Sequence, residues 1–318
     1  MPKLDVLLPF HRNDEYFAQA INCFNKSDFK DLNLILIDDR DGDTSEIKHL
    51  DSLLTKFNLI KTSGGVGYGE ALRLGSKSIT SPYVALMNSD DLFSPERFGV
   101  QLESIGSSDL SICKMKRINA AGQTSQSLIK ELSTQHFDPI YLLFGAYGAN
   151  ATWLSTSEWW QNEVFFDSHS ALDWRIALKT FNATKIRYIS QDLYSYRRHK
   201  RQVTGSQNSF LDEDLVYSEW NEFSLLNFDS SFSPSLFRTM ATPWQSSSTI
   251  DWNEMKYFME TVKKSNYSQQ IRDQLLELIA RRLLLALRNQ KNLLGMPGSA
   301  GLIVLKETFP FLRDLKNY

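Results

Sequence analysis

The chain has 318 residues, 42% of them hydrophobic and 12% aromatic, so it can bury a full core and is not a disordered polymer. A formal net charge of −2 argues against a protein built to coat nucleic acid, and no strong nucleic-acid signal appears elsewhere. Two cysteines, Cys23 and Cys113, are too few for a disulfide framework, which leads to the expectation of a reduced, cytoplasmic setting.

Met1-Pro2-Lys3 leads straight into an apolar run over residues 4–8, without the long h-region of a signal peptide. No apolar run approaches the ~18–20 residues needed to span a bilayer. A soluble protein is expected, at most peripheral to the inner face of a membrane.

Residues 4–8 predict a strand closed by Pro9. Residues 14–24 predict a helix, with Tyr16, Phe17, Ala20, Ile21 and Phe24 at helical spacing and Asn13 or Asp14 as its N-cap. A strand over 32–37 ends at Asp38-Asp39, a helix is expected over 46–57, and a short strand over 58–61. The loop Ser63-Gly64-Gly65-Val66-Gly67 opens a helix over 68–78, and a strand over 83–87 then runs into Asn88-Ser89-Asp90-Asp91. Strands alternating with helices predict an α/β fold: a Rossmann-like, mostly parallel sheet covered on both faces. Right-handed crossovers place the ends of its strands on one edge, where such sheets bind ligands. The polar clusters at His11-Arg12, Asp38-Asp39 and Asn88–Asp91 should therefore converge.

Residues 101–210 mix strands with aromatic-rich loops, and beyond about 212 the chain turns helical. Asp251 and Glu254 have the spacing of a capping box. A longer helix over 270–294 carries Ile271, Leu275, Leu278, Ile279 and Leu283 on one face and stops at Gly295. Arg281, Arg282, Arg288 and Lys291 would suit an anionic membrane, but Glu277 and Asn289 mix the polar face, and packing is the favoured reading. The Ser-rich stretch over 229–249 reads as a linker or loop. Two domains are expected, 1–210 and a helical 211–318.

Six motifs in order resemble the family 2 glycosyltransferases of the GT-A fold. They are Val-Leu-Leu-Pro-Phe-His at 6–11, Leu-Ile-Asp-Asp-Arg-Asp-Gly-Asp-Thr at 36–44, the Gly-rich segment and helix at 64–76, Asn88-Ser89-Asp90-Asp91, Leu172-Asp173-Trp174-Arg175, and Tyr194-Ser195-Tyr196-Arg197-Arg198-His199. The resemblance covers roughly residues 3–205. It implies an inverting enzyme of polysaccharide biosynthesis that moves a sugar from a UDP- or dTDP-sugar to a hydroxyl of a glycan, lipid-linked or other acceptor. Donor binding falls to residues 1–100 and the acceptor side to 101–210.

A leaving diphosphate needs its charge neutralised, which Mn2+ or Mg2+ on hard ligands does. Asp90 is the first candidate ligand and His199 a further one, the imidazole favouring Mn2+. The alternative is a strand-ending turn in which Asp91 caps the next helix. Asp38 and Asp39 fit ribose and base, with Asp39 implied to face the base. Pro9, His11, Gly67, Asn88 and Arg198 complete the expected donor site. Asp173 is the expected general base, because single displacement needs one carboxylate and no nucleophile. Its alternative role is to favour a helix dipole. Asn150, Trp153 and Trp174 are the expected acceptor contacts, although isolated tryptophans are more often core. Asn88 and Leu172 depart from the family's usual acids. On this reading Asn88→Asp would leave transfer intact or raise it. Two rivals stay open, a non-catalytic nucleotide- or glycan-binding protein and a metal-dependent nucleotidyltransferase. The latter usually has a Gly-rich, basic loop after its first strand, which Pro9-Phe10-His11-Arg12 is not.

Overall fold

Seven consecutive buried residues, Leu4–Phe10, form strand β1. A strand without a polar face must be covered on both sides, and that requirement shapes the sheet around it. The computed structural model describes residues 3–41, 47–125, 137–145, 149–202, 212–243 and 250–289. The chain divides into two units, Met1–Phe137 with Gly148–Asp212, and Asp138–Tyr147 with Glu213–Tyr318. The second takes in a short stretch, 138–145, that the sequence reading groups with the first domain.

In the first unit β1 is followed by α1 (Glu15–Lys26), β2 (Leu32–Asp38), a 3-10 turn at Lys48–Ser52, β3 (Phe57–Lys61), α2 (Tyr68–Ser76) and β4 (Tyr83–Leu86). Then come β5 (Leu92–Phe93), α3 (Arg97–Ile105), β6 (Leu110–Asn119), a 3-10 turn at Asn150–Thr152, β7 (Trp153–Thr156), α4 (Ser157–Glu163), α5 (Leu172–Thr180) and β8 (Ile186–Arg198). The strands form one sheet in the order β3-β2-β1-β4-β7-β6-β8-β5. The first four are parallel. Beyond them the sheet is mixed: β7 is antiparallel to β4 and β6, β8 parallel to β6, and β5 antiparallel to β8.

Side chains alternate across β1. Leu4, Val6, Leu8 and Phe10 share a core layer with Phe17, Ile21 and Phe24 of α1 and Phe98 of α3. Leu7 points to the other face, where α2 rests on Ile37 so closely that a Cβ on Gly75 would come within 2.3 Å of its Cδ1. Helix α1 starts at Asp14, whose Oδ1 accepts from the N–H groups of Tyr16 and Phe17 at 3.1 and 3.3 Å. The helix expected over 46–57 is not there: among the described residues only Lys48–Ser52 turns. Asn25 of α1 diverts it, donating from Nδ2 to Ser52 O at 2.9 Å and accepting the Leu54 N–H on Oδ1 at 2.8 Å. Backbone groups that a continuing helix would use are taken by a side chain.

From β1 the chain runs outward through β2 and β3, then returns to β4 on the other side of β1. The carboxyl ends of β1 and β4 therefore flank a topological switch point, the usual place for a ligand crevice. Pro9 opens it. Leu7 O accepts from Met87 N–H at 3.0 Å. Pro9, two residues on and facing the same neighbour, has no N–H to continue the ladder, and Asn88 leaves the sheet.

The second unit is helical, with a 3-10 turn at Pro139–Phe144, α6 (Glu213–Phe228), α7 (Pro234–Ala241), α8 (Trp252–Lys264) and α9 (Gln269–Asn289). Trp220 Nε1 donates to Leu143 O at 3.0 Å and the Arg282 guanidinium to Phe144 O, so the buried turn keeps its carbonyls satisfied. Arg282 is thus interior, and Arg281 pairs with Glu277. The Arg288 side chain, Lys291 and Gly295 lie outside the described residues. No described helix is long and apolar enough to cross a membrane. Part of the expected Ser-rich linker is helix α7, capped by Ser233, and 244–249 lie outside the described residues. Asp251 caps α8 alone. Glu254 accepts from the Ser233 N–H at 2.6 Å instead of closing a capping box.

The first unit is pinned at its amino end by Asp5, which is fully buried. Its carboxylate accepts from Asn33 Nδ2 at 2.9 Å and from the Thr80 and Ser81 N–H groups at 2.7 and 2.8 Å. Asp5→Ala strands these donors, and urea unfolding should show a loss of about 2–4 kcal/mol. A variant as stable as the parent would remove Asp5 from the account.

Candidate active site

The turn Asn88–Asp91 lies between β4 and β5. Pairing of β5 with β8, Leu92 opposite Ser195 and Phe93 opposite Tyr194, carries that turn to the end of β8. There Asp91, fully buried, accepts from Arg197 N–H at 2.7 Å, Tyr194 hydroxyl at 2.7 Å and Asn88 Nδ2 at 3.1 Å. Burial, then the charge of Asp90, pushes its carboxyl up, and the three donors oppose them. Burial and Asp91 hold the Tyr194 phenol far above its ordinary range, so it remains a donor.

Asp90 points away from this anchor. Its Oδ2 is 2.9 Å from Nε2 of His199. The imidazole Nδ1 accepts from Arg201 N–H at 3.2 Å, which puts the ring proton on Nε2, facing Asp90. Tyr16 packs on the ring at 4.6 Å, and the Arg197 guanidinium lies 4.7 Å from the Tyr16 centroid. A carboxylate oxygen and an imidazole nitrogen are a donor pair that suits Mn2+. Among the described residues no group of three or more His, Cys, Asp and Glu is arranged to hold a metal. Two protein donors fit a cation whose remaining ligands come from a bound diphosphate and water. Loading Nε2 would move the ring proton to Nδ1 and displace the Arg201 N–H.

At the end of β2 the two carboxylates part. Asp38 is buried and gripped by Arg40, whose Nε and Nη2 donate to its oxygens at 2.8 and 2.9 Å. Asp39 organises the Gly-rich loop: Thr62 Oγ1 and Val66 N–H donate to Oδ1 at 2.6 and 2.9 Å, and Gly67 N–H to Oδ2 at 3.0 Å. Gly67 (φ 88°) occupies a left-handed conformation, as do Gly64 and Gly65, so the loop can wrap this carboxylate. These bonds take three of its four lone-pair positions and leave one. His11 follows β1, open to solvent on one side with its ring partly covered, and that burial, then Arg12, lowers its pKa against the pull of Asp90, Asp14 and Asp39.

Asp173 sits in the first turn of α5, after Ala171 in the left-handed region (φ 53°). It is half-buried, and burial raises its carboxyl pKa against backbone hydrogen bonds from Trp174 and Asn150. Asp167, an acid upstream in sequence, is held by Arg175 Nη1 at 2.8 and 2.9 Å. The Asn150 turn rests on a buried cation. Arg97 Nη2 donates to Ala151 O at 2.7 Å, and Gln101 Nε2 to Thr152 O at 3.0 Å. Tyr68, within the Gly-rich segment and helix at 64–76 but not singled out there, joins both sides. Its hydroxyl donates to Asn88 Oδ1 at 3.3 Å and accepts from Asn150 Nδ2 at 3.1 Å. The charges of Asp173, Asp91 and Asp90 all act on it.

The acceptor assignment needs correction. Trp153 and Trp174 are 1% and 4% exposed, and Trp153 packs edge-on to Trp159 and against Phe181. Neither ring has a face to offer a sugar. Asn150 is buried too and acts through Tyr68 and Asp173. Arg198 is exposed at the end of β8, while its neighbour Arg197 is the buried one, donating to Asp90 O at 2.8 Å. The side chain of His49 and all of His136 lie outside the described residues.

Residues 5–152 match the family model Glycosyl transferase family 2. The chain carries a family 2 glycosyltransferase domain. An uncharacterized glycosyltransferase of Rickettsia conorii, RC0461, is 24% identical over 215 residues, covering 66% of this chain and 34% of the relative. One from Haemophilus influenzae is 28% identical over 106 residues, 32% of this chain and 42% of that protein. The chain thus spans about a third of the length of the first of these relatives. The structure of S. aureus TarS 1–349 in complex with UDP-GlcNAc shares the fold at TM-score 0.59 and 15% identity, over 92% of each chain. The same fragment in complex with UDP gives 0.54 at 18% identity. The fold is GT-A, with a helical C-terminal region.

Within the glycosyltransferase domain, Asn88 now has a reason. Its Nδ2 donates to Asp91 and its Oδ1 accepts from Tyr68, so an aspartate there would set two carboxylates against each other at about the 3.1 Å of the present bond. This reverses the expectation drawn from the family's usual acid. Asn88→Asp should destabilise the chain by about 1–3 kcal/mol in urea and lower its activity. Stability and activity at or above the parent's would show that the amide is incidental.

Proposed function

We propose that this chain transfers a sugar from a nucleotide-diphosphate donor to a hydroxyl acceptor by a single inverting displacement, with Asp173 as base. The observation that carries this reading is the surroundings of one phenol: the Tyr68 hydroxyl bonds Asn88, which donates to Asp91, and also Asn150, and the charge of Asp173 acts on it. A base and a diphosphate-binding pair thus border one crevice at the switch point. Asp167, the acid that precedes Asp173 in sequence, is bound to Arg175, which disfavours it as a nucleophile and fits the inverting reading. The UDP-GlcNAc and UDP complexes of TarS favour a UDP-sugar donor.

On this reading Asp39 uses its remaining lone pair for the N3–H of a uracil or thymine ring, and His11 lines the path to the diphosphate. Asp90 and His199 would hold Mn2+ or Mg2+, which neutralises the departing diphosphate when bound. Asp173 takes the proton of the acceptor hydroxyl as it attacks the anomeric carbon. The raised carboxyl suits that task, since it brings the base closer to the working pH.

Asp173→Asn keeps the shape and cannot accept a proton. UDP binding should survive while transfer, or donor hydrolysis in the absence of an acceptor, falls by roughly 10^2–10^4. In the parent, kcat should fall as pH drops through an apparent pKa above the ordinary aspartate value of about 3.9, because the ionised form is the active one. Full activity in the variant would end the single-displacement assignment.

A further inference from the structure

Tyr68 is the first residue of α2, directly after Gly67, whose N–H is fixed by Asp39. One residue further, a Cβ on Gly69 would stand 2.0 Å from the carbonyl oxygen of Asp167. Only glycine lets the helix start rest there, on the loop whose Asp167 carboxylate is gripped by Arg175 of α5. Tyr68 is therefore placed from both ends, by the donor loop behind it and by the base-bearing segment beside it.

The hydroxyl completes an unbroken series of contacts. Asp91 accepts from Asn88 Nδ2, Asn88 Oδ1 accepts from Tyr68, and Tyr68 accepts from Asn150 Nδ2. Beyond it lies Asp173, whose carboxyl the Asn150 backbone pulls down against the effect of burial. The residue is 41% exposed, so it is reachable from solvent. Burial of the hydroxyl and the surrounding carboxylates keep the phenol protonated, so it acts as a neutral donor and acceptor at any working pH.

We propose that Tyr68 is a positioning residue for transfer: its hydroxyl ties the turn bearing the diphosphate-side carboxylates to the turn that holds the base. This rests on the transfer reading above. Displacement chemistry is sensitive to such a tie, since a misplacement of about 1 Å can cost roughly 100-fold in rate. A residue that merely packed would act through its ring, and its hydroxyl would be dispensable.

Tyr68→Phe removes one oxygen and keeps the ring. With UDP-GlcNAc as the probe donor, kcat for hydrolysis or transfer should fall roughly 10–100-fold. Donor KM, the Kd for UDP and Tm should stay near the parent's. If the hydroxyl works through the base, it has nothing to act on once the base is gone. Tyr68→Phe combined with Asp173→Asn should then be no slower than Asp173→Asn alone. An active parent matched by Tyr68→Phe in kcat, or losses that multiply fully in the double variant, would overturn this inference alone. A parent that binds UDP yet turns over no nucleotide sugar would overturn the transfer reading and this inference with it.

Discussion

Asp91 accepts three hydrogen bonds at a place with no solvent exposure, and the rest of the site hangs from them. Its partners come from two directions: Asn88 from its own turn, Tyr194 and Arg197 from the far end of β8. A buried carboxylate that loses such partners leaves a charge that nothing compensates, which is strongly unfavourable. The turn after β4 therefore cannot drift from β8. Asp90, next along the chain, is delivered to His199 without either residue having to search.

The same economy runs through the end of β2. Asp38 is spent on Arg40 and Asp39 mostly on the Gly-rich loop, so the end of β2 is fixed by bonds within the protein. Preorganisation of this kind lets binding energy go to the ligand and not to ordering loops. Across the crevice, a buried arginine does the corresponding work. Arg97 holds the carbonyls beneath Asn150, and Asn150 in turn holds Asp173 and Tyr68.

What could be read from the sequence follows from where the information lies. β1 and β2 are legible because two-sided burial leaves uninterrupted apolar runs, and Asp14 and Asp251 because caps are local. Asp90, His199 and Asp173 are legible as motif positions. The failed helix over 46–57 has adequate periodicity and is undone by Asn25, a side chain more than 20 residues away in sequence. Trp153 and Trp174 look like sugar platforms until their burial is known. Tyr68 lies within a motif, but the role of its hydroxyl has no local signal, since its partners are 20 and 82 positions distant. The two-residue β5, which sets the register of the whole site, is too short to leave a pattern.

The central claim is that Asp90 and His199 form a cation–diphosphate site at the switch point. Calorimetric titration of UDP into the full chain, with Mn2+ or with EDTA, in the parent and in Asp90→Ala, addresses it most directly. The account predicts tight binding only in the parent with Mn2+, and its loss with EDTA or in the variant. Equal UDP affinity in EDTA, or an Asp90→Ala variant that binds like the parent, would contradict it.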